Sequence, residues 1–564
     1  MYKLFLTFRY LTRKAIVIFP ILVVWLCVMM MIIVTSIMGG FVARVQQANR
    51  QLLGDIVIDN RSQAGWPYYE ELQKELETLK DGQGRKLVLA STPVITSYGL
   101  LNLPDHRFNH PAQVIGIDPV GRAKVSGFRQ TLFRQDAAPR QAVEDFVRFG
   151  LPATRDDLFH QANIEGARKD KEYNRVLTAW RQAVVGSSER ASLEDQKDSA
   201  QVDLERAYRT SQLAARLPAP PRTFSTPEEL LEVLLPKEPS FAIPPEAGAA
   251  ATTGPAASEG GCIVGVDMGL SYRTRRGSYL RPMELEFIHA VVTVVPVSTR
   301  GTIVSQPQEA TLVIVDDACS RVFDVDSTYV YAPFKKVQAM SFMSAWSDEG
   351  ISYPARCSEL DIKVVDGDDP LRLREAGDII QAKLNAFMVT HQDLGSFHPR
   401  VQTWEEKQAR YVKAVQNEKY MQIFILGLMS LVVLVVIFLI FWMIVRDKTK
   451  DIGIIKAVGG SEEGVAGIFV IYGATIGVVG GLLGVYSGVL FVTHTNQIHE
   501  WIYNLTGLMI WDRSVYMFDR IPDTVSPREV VMYFAAAVIA GMLGALIPAL
   551  VAGSRNPVEA VRYE

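Results

Sequence analysis

The sequence predicts an α+β membrane protein with four transmembrane helices, arranged as one helix followed much later by three. Four apolar stretches contain no Asp, Glu, Lys or Arg, and each is long enough to cross about 30 Å of hydrocarbon. Between the first two lies a long polar region in which short β-rich runs alternate with helical patterns. This alternation predicts a large α/β domain outside the membrane, made of two subdomains and carried on long stalk helices.

The predicted segments follow the chain from one side of the membrane to the other. They are a cytoplasmic N-terminus at 1–15, a first span at 16–40, an extracytoplasmic domain at 41–420, a second span at 421–445, a cytoplasmic loop at 446–463, a third span at 464–492, an outer loop at 493–529, a fourth span at 530–552 and a cytoplasmic tail at 553–564.

Lys and Arg near the ends of the spans give the orientation. The N-terminus, the 446–461 loop and the tail are basic, and all three lie on one side if there are four spans. Basic flanks mark the cytoplasmic side, so we expect both termini there. The first apolar stretch exceeds the roughly 7–15-residue core of a cleaved signal peptide, which favours a retained anchor.

The outer domain changes in character along its length. Short strand patterns occur before residue 120 and again after residue 260. Residues 138–217 have sparse, helically spaced apolar residues and predict an insertion of two or three surface helices, and Pro- and Gly-rich residues 218–261 predict a flexible linker. Three outer cysteines, Cys262, Cys319 and Cys357, leave any disulfide pairing open.

A stalk helix is predicted to lead into the second span. Thr403-Trp404-Glu405-Glu406 matches a capping box, and the helical pattern continues without a break to about Arg446. The stalk portion covers 404–420. A helix of some 40 residues is about 60 Å long, so it extends well beyond the membrane and can carry motion between its two sides.

The loop at 446–461 reads RDKTKDIGIIKAVGGS and has an apolar face that a solvated connector does not need. We expect a cytoplasmic protein to dock on a helix at 448–460. Its predicted contacts are the apolar Ile452, Ile455 and Val458, the polar Lys448, Asp451 and Lys456, and Gly459.

The third span contains glycines at four-residue spacing, which allows close approach of helix backbones. They predict tight packing inside the bundle. Sliding of helices, or dimerisation through this face, could occur in addition to such packing, and the sequence does not separate these alternatives. The two rows are Gly473, Gly477 and Gly481, and Gly480, Gly484 and Gly488.

The sequence lacks several short motifs that mark nucleotide-binding, catalytic or metal-binding sites. It contains no GxxxxGK[ST], HExxH, GxSxG or CxxC, so no catalytic residue, metal site or cofactor is predicted. The net charge of −3 does not suggest a nucleic-acid binder. The spans carry no Asp, Glu, Lys, Arg or His in their apolar cores, which argues against an ion-driven transporter. We therefore expect the energy for any transport to come from a partner.

Several motifs together resemble the FtsX-like permeases of ABC transporters, the group that includes MacB and the LolC/LolE lipoprotein-releasing subunits. The 446–461 loop is similar to the family's EKTRDIGILKALGAS. The other motifs are residues 9–13 (RYLTR), 38–41 (MGGF, with Gly39 in place of the usual Asn), 114–119 (VIGIDP), 403–404 (TW), 521–522 (IP) and 556–564 (NPVEAVRYE). The resemblance covers 1–120 and about 262–564, and 125–260 is an insertion.

The resemblance implies a permease subunit in a bacterial inner membrane that works by mechanotransmission. ATP is then bound by a separate ATPase dimer, and a second permease subunit, identical or different, completes the complex. A porter-like subdomain is expected at 46–125 with 320–402, and a variable one at 126–319. Lipoprotein release with a periplasmic carrier fits the tail motif, although 298–307 lacks a clear Pro-rich hook. Alternatives are MacB-like efflux of small molecules or peptides, regulation of a periplasmic hydrolase, and a membrane-anchored binding module without an ATPase.

Overall fold

The computed structural model describes most of the chain. The described residues are 18–60, 64–82, 84–104, 108–183, 188–220, 222–244, 260–273, 279–280, 287–297, 303, 305–348, 351–407, 409–506, 510–511 and 520–554. The motifs at 9–13 and 556–564, the hook region at 298–302 and the middle of the predicted linker fall outside them.

The α-helices in the described residues, in chain order, are α1 (Ile18–Leu52), α2 (Tyr69–Glu77), α3 (Pro119–Val125), α4 (Phe128–Thr131), α5 (Ala138–Phe149), α6 (Arg155–Gln182), α7 (Ser188–Arg216), α8 (Pro227–Leu234), α9 (Phe323–Asp326), α10 (Phe334–Met340), α11 (Pro370–Thr390), α12 (Trp404–Lys407), α13 (Ala409–Asp447), α14 (Thr449–Ala457), α15 (Glu462–Thr493), α16 (Thr495–Thr506) and α17 (Pro527–Ser554). A π-helical turn at Phe133–Ala137 precedes α5, and a 3-10 helix at Gln392–Phe397 follows α11.

The strands of the main sheet, in chain order, are β1 (Ile56–Asp59), β2 (Val88–Leu103), β3 (Phe108–Ile117), β4 (Gly261–Gly265), β5 (His289–Val294), β6 (Gln308–Ala318), β7 (Tyr329–Pro333), β8 (Glu359–Val364) and β9 (Arg400–Thr403). Four two-stranded pairs accompany them: Trp66–Pro67 with Arg356–Cys357, Ala153–Thr154 with Thr223–Phe224, Tyr272–Arg273 with Tyr279–Leu280, and Trp346–Asp348 with Ile351–Tyr353.

One compact unit contains the apolar helices and comprises residues 1–45, 410–510 and 520–564. Four helices in it are long and apolar enough to cross a membrane: Ile18–Arg44, Gln416–Asp447, Glu462–Thr493 and Pro527–Val551. Within the described residues, the number and chain order of these candidate helices agree with the predicted order of one span followed by three. Their common core includes Val28 on α1, Phe441 on α13, Ile476 on α15 and Ala545 on α17.

The second unit, at 46–409 with 511–519, is built on a nine-stranded sheet. The strand order is β5-β6-β4-β7-β3-β2-β8-β1-β9. β5 also pairs with the second half of β2, so the first six strands in this order close on themselves. One core of the unit joins the sheet to α2, α10 and α11 through Leu72, Val337 and Ile380.

The VIGIDP motif has a structural explanation. Gly116 lies on β3 where α10 crosses, and a Cβ atom there would lie 2.7 Å from Cβ of Val337. Asp118 then caps α3 by accepting the Gly121 N–H at 2.8 Å, and Pro119 takes the first helical position, where its missing N–H is not needed. The motif therefore ends a strand and starts a helix.

The predicted division into porter-like and variable subdomains is wrong in one respect. Residues 126–319 were assigned to a separate subdomain, but β4, β5 and β6 from that range belong to the main sheet beside β7 and β2. Strand pairing between residues far apart in sequence leaves no local signal. The part of 126–319 that has a core of its own is helical and centres on Phe146, Leu158, Leu213, Phe224 and Leu230.

The predicted helical insertion at 138–217 is observed as α5, α6 and α7, with α6 and α7 forming a helical hairpin. The predicted linker at 218–261 is wrong for residues 222–244. Phe224 and Leu230 there are fully buried, and α8 begins with Thr226 accepting the Glu229 N–H. One further proline of this stretch, Pro227, occupies the first turn of α8, where proline is well tolerated.

Helices extend beyond two of the predicted spans. α1 continues past the predicted end of the first span at residue 40 to Leu52. The capping box is observed: Thr403 Oγ1 accepts the Glu406 N–H at 3.2 Å, and the Glu406 carboxylate accepts the Thr403 N–H at 2.9 Å. α12 starts there and α13 follows from Ala409 to Asp447.

Candidate functional site

The candidate site is α14, the short helix between the second and third apolar helices. It is separated from α13 by one residue, Lys448. Its far end is fixed by Gly459, whose φ of +99° is a conformation that other residues adopt only with strain. Ser461 then caps α15 by accepting the Gly464 N–H at 3.1 Å. Both turns are short, so α14 has little freedom to move independently of the helices beside it.

One face of α14 packs into the helical bundle. Ile452 is only 2% exposed and lies in a cluster with Val445 of α13, Phe469 of α15 and Ala549 of α17. Thr449 is also buried, and its hydroxyl donates to the Arg446 carbonyl at 2.8 Å. Burial of an isoleucine side chain favours the packed state by about 1.5–3 kcal/mol, so this face anchors the helix.

Lys456 belongs to the same inner face. Its ammonium donates to the Gly553 carbonyl at 2.6 Å, near the C-terminus of α17, and pairs with Glu462 at 3.2 Å. A cation at a helix C-terminus is stabilised by the free carbonyls and the helix dipole. Lys448 forms a local ion pair with Asp451 at 2.6 Å. All three predicted polar contacts, Lys448, Asp451 and Lys456, therefore have partners within the chain.

The opposite face of α14 is open. Val458 is 85% exposed and Ile454 is 52% exposed, and Lys450 and Ala457 are exposed beside them. Positions 450, 454, 457 and 458 follow the i, i+4, i+7, i+8 spacing of one helix face. We call these four residues the outer face of α14.

The predicted docking face therefore needs correction. It grouped Ile452, Ile455 and Val458, but Ile452 is buried and Ile455 is partly buried against the same cluster, which leaves only Val458 open. Lys450, Ile454 and Ala457 were missed. The sequence does contain a signal for these exposed residues. A short helix between two spans has to bury one face, and the buried face of α14 also carries Thr449 and Lys456, which form polar contacts inside the bundle.

The first glycine row of α15 contacts α17. A Cβ atom at Gly473 would lie 2.3 Å from the Gly541 carbonyl oxygen, and one at Gly477 would lie 2.7 Å from the Ala537 carbonyl oxygen. A Cβ atom at Gly481 would lie 3.0 Å from the Phe534 ring. These distances are shorter than van der Waals contact, so the two backbones approach as closely as they do only because side chains are missing.

The second glycine row contacts α1. Cβ atoms at Gly480 and Gly484 would lie 2.9 and 2.6 Å from the Cβ atoms of Val24 and Val28, and one at Gly488 would lie 3.1 Å from Ile32. Both rows are therefore covered by helices of the same chain. The prediction of tight packing inside the bundle agrees with these contacts, and dimerisation through the glycine faces does not.

Comparison with known proteins identifies the class. Residues 423–557, which include α14 and both glycine rows, match the FtsX-like permease C-terminal family. These residues are similar to the FtsX-like permeases, and the resemblance predicted from the sequence motifs is confirmed for this part of the chain.

The relatives fall into two named groups. The chain is 32% identical over 164 residues to the lipoprotein-releasing system transmembrane protein LolC of Neisseria meningitidis serogroup B, a match of 29% of this chain and 40% of that protein. LolE of Haemophilus influenzae is 27% identical over 117 residues, or 21% of this chain and 28% of LolE. The macrolide export ATP-binding/permease protein MacB of Bdellovibrio bacteriovorus is 28% identical over 120 residues, or 21% and 15%. The chain thus spans less than half the length of each of these relatives.

Proposed function

We propose that this chain is the permease subunit of an ABC transporter that works by mechanotransmission. The observation that carries the proposal is the outer face of α14, an exposed apolar surface on a short helix inside an FtsX-like permease domain. A membrane helix has lipid to cover its apolar residues, but α14 lies between two candidate spans, where its surroundings are aqueous. An apolar face in water favours a protein partner.

The partner we propose is a separate ATPase dimer, which binds the ATP; the chain itself acts without a cofactor. The site is the cytoplasmic side of a bacterial inner membrane, with both termini on that side, and a second permease subunit completes the complex. Val458 and Ile454 provide the apolar contact and Lys450 the charge. This replaces the set of contacts drawn from the sequence, because Ile452 and Lys456 are engaged inside the bundle.

For the cargo we propose a lipoprotein released from the outer leaflet. This rests on the names of the relatives, since two of them are lipoprotein-releasing system transmembrane proteins, LolC and LolE. MacB-like export of small molecules or peptides is the second candidate, favoured by the match to MacB. The names of the relatives do not choose between the two, so the cargo has to be identified directly.

The docking test uses Ile454→Asp in the full-length chain, purified from native membranes. Ile454 is half exposed, so the substitution leaves the fold intact, whereas a carboxylate in an apolar contact weakens binding by about 1–3 kcal/mol. That is roughly a 5- to 150-fold loss of affinity. The measurement is the amount of ATPase that co-purifies and its hydrolysis rate.

The matched control is Val389→Asp, which places the same charge at a 76% exposed apolar residue of α11 in the other unit. It should leave ATPase binding unchanged. Retention of the ATPase by Ile454→Asp, or equal loss in both variants, would refute the docking role of the outer face. Acylated protein in the ATP-free complex, released on addition of ATP, would support lipoprotein cargo; release of a small molecule alone would favour export.

A further inference from the structure

A cluster of six charged residues lies at one end of the main sheet, where β8, β1 and β9 are neighbours. Glu359, Asp59 and Arg400 stand directly opposite one another on these three strands. Asp361 lies two residues further along β8, on the same face. Arg122 of α3 and Lys407 of α12 cover that face.

The contacts within the cluster are close. Lys407 Nζ lies 2.5 Å from the Glu359 carboxylate and 3.4 Å from that of Asp59. Arg400 pairs with Asp59 at 3.0 Å, and Arg122 pairs with Asp361. Three carboxylates and three cations make the cluster electrically neutral, and the carboxylate of Asp361 is almost completely buried, with 1% of its side chain exposed.

The cluster also includes contacts to the last residue of α1 and to α12, both within the same unit as the sheet. Arg122 donates to the carbonyl of Leu52, the last residue of α1. Lys407 lies on α12, which follows β9 directly, two residues before the first residue of α13. The start of α12 is held separately, because the Trp404 N–H donates to the Asp55 carbonyl at 3.1 Å and Trp404 is buried.

An ordinary surface turn does not need this arrangement. Buried ion pairs add little net stability, because the cost of removing the charges from water offsets their attraction. Removing one partner alone is costly, however, since the other charge stays buried. The cluster therefore tolerates few alternative geometries, and such a restraint fixes position more than it adds stability.

From this geometry we propose that Lys407 is a positioning residue that fixes the turn leading into α13 to the strand pair β8–β1, so that displacement of the helix root is passed to the sheet. The inference rests on the proposed function for its direction, from membrane to outer domain. The joint would consist of Lys407 with Glu359 and Asp59 on one side, and Arg122 with Asp361 and the end of α1 on the other.

The test replaces the ion pair as a unit, with Lys407→Met and Glu359→Gln together. This variant keeps the cluster neutral, since Arg400 still faces Asp59 and Arg122 still faces Asp361. The full-length chain is reconstituted in lipid nanodiscs with its co-purified ATPase. Hydrogen exchange is followed in peptides that contain Thr403 to Lys407, and cargo release is counted per ATP hydrolysed.

We expect exchange in those peptides to rise by about tenfold or more, while exchange in the α6–α7 hairpin and the overall unfolding temperature stay unchanged. Release per ATP should fall by a similar factor with hydrolysis retained. Lys407→Arg, which keeps the charge and can still reach Glu359, should restore both. A purely structural role would lower the unfolding temperature and leave the ratio of release to hydrolysis unaltered.

Two outcomes would overturn the joint: unchanged exchange in the double variant, or normal release per ATP despite faster exchange. A failure of the proposed function would be recognised by a different result: the wild-type complex itself would show no ATP-dependent release of cargo. In that case the exchange measurement alone decides whether Lys407 holds the turn, and unchanged protection there refutes it.

Discussion

Gly473 offers a sharp test of the packing between α15 and α17. A methyl group at this position would lie 2.3 Å from the Gly541 carbonyl oxygen, and the reverse substitution would place a Cβ of residue 541 at 2.4 Å from the Gly473 carbonyl oxygen. The two glycines thus face each other across the narrowest part of the contact. Gly473→Ala is the smallest change that fills this gap.

The magnitude follows from the distance. Ordinary contact begins at 3.4 Å, so the two helices have to separate by about 1 Å at this level, and overpacking of this size costs about 1–3 kcal/mol. Replacing glycine by alanine inside a helix stabilises the helix by up to about 1 kcal/mol. Gly427 of α13 has no atom within 4 Å of such a Cβ, so Gly427→Ala carries only the favourable contribution and serves as the control.

The assay is unfolding in mixed detergent micelles, followed by tryptophan fluorescence. Gly473→Ala should be less stable than wild type, and Gly427→Ala should be equal or slightly more stable. Gly473→Ala with Gly541→Ala should cost less than the sum of the two single changes, because one separation of the helices relieves both clashes. Equal stability of Gly473→Ala and Gly427→Ala would refute the close approach of α15 and α17.

Other predictions follow from single side chains. Ile452→Ala should lower the stability of the unit of apolar helices by about 2–4 kcal/mol, whereas Ile454→Ala should change it by less than about 0.5 kcal/mol. Equal free energies of unfolding for the two variants would contradict the assignment of the inner and outer faces of α14. Burial raises the pKa of Asp316 to about 6, so the folded sheet-containing unit binds a proton that the unfolded chain releases. The stability of this unit should therefore increase as pH falls from 7.5 to 5, by up to about 1.4 kcal/mol. Asp316→Asn should lose this pH dependence in unfolding experiments. The Arg190 guanidinium lies 4.5 Å, and the Lys197 ammonium 4.6 Å, from the centroid of the Trp180 ring. Trp180→Leu removes both cation–π contacts and should speed hydrogen exchange near the end of the α6–α7 hairpin by about fivefold. Exchange in the core around Phe146 should not change.

The sequence predicted best those features whose signal is local. Each apolar helix is readable because about 20 uncharged residues are needed to cross a bilayer, and the capping box at Thr403 is readable because both of its hydrogen bonds join residues three apart. The prediction failed for β4 to β6, which were assigned to another subdomain. Their partners lie more than a hundred residues away in some cases, as for Val291 of β5 opposite Asn102 of β2, and strand pairing over such a distance leaves no pattern in either segment.

Residues 222–244 failed for another reason. Proline content was taken as a sign of an extended linker, but Pro227 is at the first turn of α8, where proline is well tolerated. Phe224 and Leu230 then fill the core beneath the helical hairpin. Two apolar residues in a Pro-rich stretch are a weak signal, because their burial depends on helices α5 and α7, whose position the sequence does not give.

The orientation of α14 decides how a force on it spreads. Apolar residues occur on both faces of α14, so hydrophobicity alone does not show which face packs into the bundle. The position of Lys456 does show it, since its ammonium reaches the end of α17 at Gly553. α14 therefore contacts α13 through Val445, α15 through Phe469 and α17 through Ala549. Because the Gly473 row also packs α15 against α17, a displacement of α14 would move α13, α15 and α17 together, whereas the sequence indicated α13 alone.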